Sequence, residues 1–276
     1  MGASPDYVAL AADVLGIRNA PPALAKRLVD QALVVEDRRE AWLEAGRRIC
    51  ASAPVCPGVY VLRDREGRAL YVGKANNIRR RLQAHFAPRR WKHLKPAFVR
   101  AQAVSWTEVG SEIEALLLEA SLIADERPPA NVQVLPPALE TRAVSASLVR
   151  DTLLVLPSAD AACAELLAVR AEGPVLQVRA VRDGAGLTAR VARIRHFLAG
   201  QGDEARSGDV LRLEAHAPLV FSWLAGRGQG ATRLDPHDAK SAKELERRLK
   251  ILFADDQLFT ERIIVLRSVV ISTPRP

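Results

Sequence analysis

The sequence predicts a mixed α+β and α/β chain. A small domain built on a three-stranded antiparallel sheet with flanking helices stands between a helical N-terminal extension and a C-terminal α/β accessory unit. Three observations carry this. Apolar residues recur at helical spacing over roughly the first fifty positions, two tyrosine-bearing β runs joined by "REG" follow at once, and strand-like and helix-like segments alternate beyond the proline-rich "LPPALETRAVS". The boundaries expected are 1–52 for the extension, 53–136 for the small domain and 142–276 for the accessory unit.

Taken in order, Val8, Leu10, Ala11, Val14 and Leu15 form one apolar stripe that Gly16 can stop. A second helix is expected from "NAPPALAKRLVDQAL", with proline in its first turn, and a third through "DRREAWLEAGRRI". "ASAPVCPG" breaks the pattern. "GVYVLRD" and "RALYVGK" read as a hairpin, with a turn at Gly73 and Lys74, and "NNIRRRLQAHF" as a helix capped by Asn76 or Asn77. A third strand is expected within "KPAFVRAQAVSWTEV". A long buried helix follows in "SEIEALLLEASLIADER", with Glu112 and Glu114 on an exposed first turn. In the accessory unit the expected elements are a strand over 147–156, a helix over 160–170 and a strand over 174–181. Helices over 187–199 and 214–225 follow, then a short strand near Ala231 and a charged helix with Leu245, Leu249 and Leu252 facing the core.

The chain has 276 residues, 49% of them hydrophobic, which is enough for ordinary globular cores. Its net charge of +8 is unevenly placed. Between Arg63 and Arg100 twelve cations face only Asp64 and Glu66, so that stretch carries +10 and the remainder is close to neutral. An anionic partner is expected there. No apolar run approaches the ~20 residues that cross a bilayer, and Asp6 and Asp13 interrupt the N-terminal segment. Neither a membrane span nor secretion is expected, and Asp6 stands where a myristoylation signal needs Ser or Thr. Cys50, Cys56 and Cys163 lack ligand or disulfide-framework spacing, which fits a reducing cytoplasm.

Chemistry concentrates in 58–131. Tyr60 and Tyr71 lie on adjacent strands, Lys74 follows closely, Arg81 and His85 share one helix face at i,i+4, and Glu119 sits in the apolar "ALLLEASLI". A carboxylate there is costly unless it is paired or holds a metal. Phosphodiester cleavage uses such a set: oxygen ligands for a hard cation, cations for the phosphate and a base for water. "RRWKHLK" interleaves cations with Trp91, which could stack a base or anchor the loop. His93, His196, His216 and His237 are scattered along the chain and read as ordinary surface or core residues.

This block resembles the GIY-YIG nuclease family, in the UvrC-like form found at the N-terminus of the bacterial excinuclease. "GVY" at Gly58 to Tyr60 stands for GIY, and "YVG" at Tyr71 to Gly73 for YIG, with ten residues between them. "GKANNIRRRLQAHF" and "LLLEASLIADERPPANV" supply the remaining motifs, and the resemblance covers roughly residues 53 to 135. His85 stands where tyrosine is common in this form, and Ala130 replaces an aromatic residue. The cysteine cluster, paired-helix motif and second nuclease half of the excinuclease are not recognisable in residues 136–276.

The resemblance implies a metal-dependent DNA endonuclease acting by single-strand incision in repair. Tyr71 would be the general base with Lys74 favouring its anion, Arg81 would stabilise the transition state, and Glu119 would hold one Mg²⁺ or Mn²⁺. Tyr60 and His85 would position water or the scissile phosphate. Arg79, Arg80, Arg89, Arg90 and Lys92 are expected as DNA contacts, with Asn131 counted among them or stabilising the site. DNA and other repair proteins are the partners expected, with no membrane and no small-molecule cofactor. Two readings compete: a non-catalytic DNA-binding or regulatory scaffold, and a restriction or mobility nuclease. The joint presence of Tyr71, Arg81 and Glu119 argues against the scaffold.

Overall fold

The structure is a computed structural model that describes residues 5–93, 96–131, 147–200, 210–213 and 216–260; for Lys92, His93, Thr260 and residues 210–213 it describes the backbone alone. The "LPPALETRAVS" boundary lies outside the described residues.

Helix α1 (Tyr7–Asp13) is capped by Asp6, whose carboxylate accepts from the amides of Val8 and Ala9. Gly16 follows it with φ +68°, a conformation that suits glycine. The two helices expected next are one, α2 (Pro22–Ser52). The stretch between them contains neither proline nor glycine, and i,i+3 pairs such as Arg39 with Glu36 support its exposed side. The last turns of α2 belong to the core of the small domain. Trp42, Ile49 and Ala53 pack with Tyr60, Leu62, Ile78, Leu82 and Phe86. Position 52 therefore ends a helix without ending a packing unit.

Strands β1 (Gly58–Arg63), β2 (Ala69–Ala75) and β3 (Ala103–Glu108) form an antiparallel sheet in the order β2-β1-β3. The hairpin between β1 and β2 turns on Gly67 at φ +82°, and the Asp64 carboxylate accepts from the amides of Glu66 and Arg68. Gly73 and Lys74, expected to form a turn, lie inside β2. Helices α3 (Ile78–His85) and α4 (Pro96–Val99) join α2 on one face of the sheet, and α5 (Glu112–Glu126) covers the other through Ala115, Leu118 and Leu122 against Val59, Val61 and Val72.

The accessory unit contains helices and a sheet, as expected. Its strands β4 (Thr152–Pro157), β5 (Cys163–Val169) and β6 (Val175–Val181) are followed by α6 (Leu187–Leu198) and β7 (Val210–Leu213). Helix α7 (Ala217–Ala225), strand β8 (Arg233–Leu234) and helices α8 (Ala242–Phe253) and α9 (Gln257–Thr260) complete it. The sheet is antiparallel, in the order β7-β6-β5-β4-β8. The helix expected over 160–170 is β5. Every residue of that strand is buried, so the period-2 alternation that marks a half-exposed strand is absent, and its Ala, Leu and Glu content mimics a helix. Helices α6 and α8 cover one face, with Leu245 and Leu249 in the core and Leu252 packed against it.

The opposite face takes α7 and also Ile113 and Leu117 of α5. Helix α5 is thus shared by both sheets. Glu112 and Glu114, expected in solvent, are 6% and 7% exposed. Glu112 accepts from Trp223 Nε1 at 3.1 Å and pairs with Arg227. Glu114 accepts from the Gly110 amide at 2.8 Å and from Gln177 Nε2 at 3.2 Å. The residues that cover them lie at least sixty positions further along the chain, beyond the reach of any local pattern.

Burial and the neighbouring Glu165 charge push the Glu114 carboxyl up to about 7. The folded chain therefore keeps this proton to higher pH than the unfolded chain does. Its contribution to stability is fully present below the ordinary glutamate value and is lost as pH rises toward 7, at up to about 1.4 kcal/mol per pH unit. The melting temperature should fall between pH 5 and 7, and Glu114→Gln should flatten that slope. An unchanged slope in the variant would assign it to another group.

Candidate active site

The site is assembled on β2, an edge strand of the small sheet. Tyr60 on β1 pairs with Gly73 across the ladder and Leu62 with Tyr71, so both tyrosines rise from the same face. Their ring centroids are 6.0 Å apart. Only a glycine fits between them: a Cβ at position 73 would lie 2.7 Å from Tyr71 Cε1 and 2.8 Å from the Tyr60 hydroxyl. The role of Gly73 is close approach rather than chain reversal.

Asn77 caps α3 by accepting from the Arg80 amide at 2.9 Å, and this fixes the face that carries Arg81 and His85. His85 Nε2 is 2.7 Å from the Tyr60 hydroxyl. Phe98 of α4 closes this side, with centroids 5.1 Å from Tyr71 and 5.3 Å from His85. Burial, with Arg81 and Arg90 adding to it, lowers the imidazole to about 4, so it is neutral at physiological pH. The Tyr60 phenol is fully buried and is pushed well above its usual value by desolvation and by Tyr71. Burial also raises Tyr71, and the Arg81 guanidinium is the neighbour that most opposes the rise.

Glu119 reaches this edge from the opposite face of the sheet. Its Oε1 accepts from the Lys74 amide at 3.1 Å, and its Oε2 from Lys74 Nζ at 2.5 Å. The Lys74 ammonium, expected to favour the Tyr71 anion, instead neutralises Glu119. Asn131, expected among DNA contacts, is 5% exposed; its amide oxygen accepts from the Val72 amide at 2.8 Å and its nitrogen donates to the Val72 carbonyl at 2.9 Å. With Ala130 donating to the Leu70 carbonyl at 3.0 Å, these contacts pair an otherwise open sheet edge. Asn131 is a clasp on β2.

Arg80, Arg89 and Arg90 are exposed around the site. Arg79 is partly buried and donates from Nε to the Ala53 carbonyl at 2.7 Å, which ties α3 to the end of α2. The side chain of Lys92 lies outside the described residues. Trp91 packs on Trp42 with centroids 5.6 Å apart, an anchoring contact. Two contributors leave no clear mark in the sequence: Phe98, whose helix α4 has a single turn, and the spacer role of Gly73.

Gly73→Ala should force the tyrosines apart and open the pocket around His85. The expected result is a histidine titration that moves from about 4 toward the ordinary value of 6.5, read by NMR. Overpacking should also reduce stability by about 1–3 kcal/mol. A histidine that still titrates near 4 would show that the rings absorb the methyl group without moving.

Among the described residues no three His, Cys, Asp or Glu side chains form a metal cluster. Glu119 fits a hard divalent ion of the Mg²⁺ kind, which keeps most of its waters and takes one or two carboxylates plus substrate phosphate. An ion held there would share the Glu119 carboxylate with the Lys74 amide and ammonium.

Two tyrosines stacked over a strand glycine, with an arginine helix above them and a glutamate reaching around the sheet edge, define a domain of the GIY-YIG class. Residues 56–132 match the model of the UvrC-like GIY-YIG domain, and this part of the chain belongs to that family. UvrABC system protein C of Tropheryma whipplei (strain Twist) is 45% identical over 82 residues, 29% of this chain and 14% of that protein. The corresponding protein of Thermobifida fusca is 36% identical over 159 residues, 56% of this chain and 24% of that one. The chain thus spans at most a quarter of the length of these two relatives. Among solved structures, the magnesium-bound GIY-YIG N-terminal endonuclease domain of UvrC from Thermotoga maritima is 32% identical, covering 32% of this chain and 96% of that one with a TM-score of 0.27.

Proposed function

We propose that the chain is a divalent-metal-dependent DNA endonuclease that hydrolyses phosphodiester bonds and makes single-strand incisions in excision repair. The observation that carries this is the convergence of Tyr71, Arg81 and Glu119 around the edge of β2, in a segment that also exposes Arg80, Arg89 and Arg90. Membership of residues 56–132 in the UvrC-like GIY-YIG family supports it.

Glu119 would hold the ion, which when bound supplies Lewis-acid stabilisation of phosphate charge. The other roles fall to the side chains around it. With the imidazole proton on Nε2, His85 donates to the Tyr60 oxygen, leaving the Tyr60 hydroxyl to donate to Tyr71. That chain and the Arg81 charge favour the Tyr71 anion against the burial that opposes it. Tyr71 Oη then takes the proton of the attacking water. The Arg81 fork meets the phosphate as negative charge builds on it. Arg80, Arg89 and Arg90 dock the backbone without reading sequence. The partners under this reading are DNA and other proteins of the repair pathway, in the cytoplasm.

The test is conversion of supercoiled plasmid to nicked circles with Mg²⁺ or Mn²⁺, comparing wild type with Tyr71→Phe. Wild type should nick, and the variant should lose about 10²–10⁴-fold in rate, the contribution typical of a general base. DNA binding by the wild type without any nicking would favour the scaffold reading.

A further inference from the structure

Helix α5 carries residues of two hydrophobic cores. Ala115, Leu118 and Leu122 pack under the small sheet, whereas Ile113 and Leu117, both fully buried, belong to the core of the second sheet. Polar contacts add to this at its N-terminal half. Gln177 Nε2 donates to Glu114 at 3.2 Å and to Glu165 at 3.1 Å, and Glu165 also accepts from Arg179 Nε at 2.6 Å and from Ser158 Oγ at 2.9 Å. This buried network joins α5 to β5, β6 and the end of β4. Trp223 of α7 holds Glu112. Just before the helix, Gly110 lies so close to the Pro157–Ser158 backbone that a Cβ would sit 2.6 Å from the Pro157 carbonyl carbon.

We infer that the C-terminal unit is a positioning element of the active site: through Gln177, Trp223 and the Gly110 contact, it sets the rotation of α5 and hence where the Glu119 carboxylate meets the edge of β2. The inference rests on the reading of Glu119 as the metal-holding carboxylate. Leu117 is two residues from Glu119 on a continuous helix, so the clamp and the ligand rotate together. A side-chain tip ~6 Å from a helix axis moves ~1 Å for a 10° rotation. A misplacement of about 1 Å is enough to cost roughly a hundredfold in rate. Among the described residues, Gln177 and Trp223 meet α5 at Glu114 and Glu112 and so act through the helix.

The test uses the full chain with Gly110→Ala, which drives backbone apart at the contact, and Gln177→Leu, which cuts the network. Leu249→Ala serves as control, because it weakens the core beneath α6 and α8 without touching α5. Two readouts are taken on protein that circular dichroism shows to be folded. One is hydrogen exchange at the Lys74 amide, which Glu119 Oε1 accepts. The other is Mn²⁺ affinity by calorimetry. Gly110→Ala and Gln177→Leu should each lose about tenfold in Lys74 protection and about 10–100-fold in Mn²⁺ affinity, the range for residues that orient a ligand, while the control changes neither. Faster exchange across 111–117 with Lys74 protection unchanged would overturn the inference. If Glu119→Gln leaves Mn²⁺ affinity untouched, the metal reading fails, and exchange at Lys74 still decides the positioning.

Discussion

Glu119→Gln is expected to abolish divalent-ion-dependent nicking, with a loss of at least ~10³-fold, while the fold and DNA affinity stay close to wild type. Glutamine keeps the shape, and its amide oxygen can still accept from the Lys74 amide that Glu119 Oε1 now satisfies at 3.1 Å. What it loses is the charge, and with it the ability to compete for a hard cation. Lys74 is informative here, because its ammonium at 2.5 Å shows that position 119 is built around a negative charge. Removing that charge frees Lys74 to face the phosphate, so DNA affinity should hold or rise slightly as cleavage disappears. Single-turnover nicking and fluorescence anisotropy on the same oligonucleotide separate the two effects. A rate within about tenfold of wild type would place the ion elsewhere.

Trp42→Ala is expected to cost about 3–5 kcal/mol, the range for emptying a large buried aromatic site. Trp42 is 1% exposed and lies between Phe86 and Trp91, with centroids at 5.4 Å and 5.6 Å. It belongs to the helical segment that the sequence pattern sets apart as an extension. Its indole Nε1 is buried without a hydrogen-bond partner among the described residues. Trp42→Phe keeps most of the ring contacts and removes that unsatisfied donor, so it should cost well under half as much. Urea denaturation of the three proteins measures both values. A cost below about 1 kcal/mol for alanine would mean that α2 is an appendage and not a wall of the core.

Most of the candidate site is legible in the sequence because it is local. The tyrosines, Arg81 and His85 fall within 26 consecutive positions, and strand period, hairpin turn and helix cap act over a few residues each, so the pattern shows directly which side chains share a face. Glu119 lies further along but stands out as a carboxylate inside an apolar helix. Three features cannot be read this way. Lys74 looks like a partner of Tyr71 because the two are close in the sequence, yet residues an odd number apart on a strand point to opposite faces, and the face of Lys74 is the one that α5 covers. Glu112 and Glu114 look solvated because the surface that buries them arrives from Gln177, Trp223 and Arg227. The strand β5 looks helical because burial on both faces erases the alternation that marks a strand.

By itself the sequence determined that residues 56–132 form a UvrC-like GIY-YIG domain, which tyrosines, arginine and glutamate stand at its motif positions, and where the positive charge of the chain is concentrated. Each of these depends on residue identity and short spacing. The tertiary structure alone decided that α2 and the second sheet are built into that domain, that Asn131 clasps the edge of β2, and that the helix bearing Glu119 is held by two cores at once. Those outcomes follow from burial between segments far apart in the chain. Apolar periodicity shows which face of an element will be buried, but neither the non-directional hydrophobic effect nor a long-range hydrogen bond such as that of Asn131 marks in the local sequence which distant segment will meet that face.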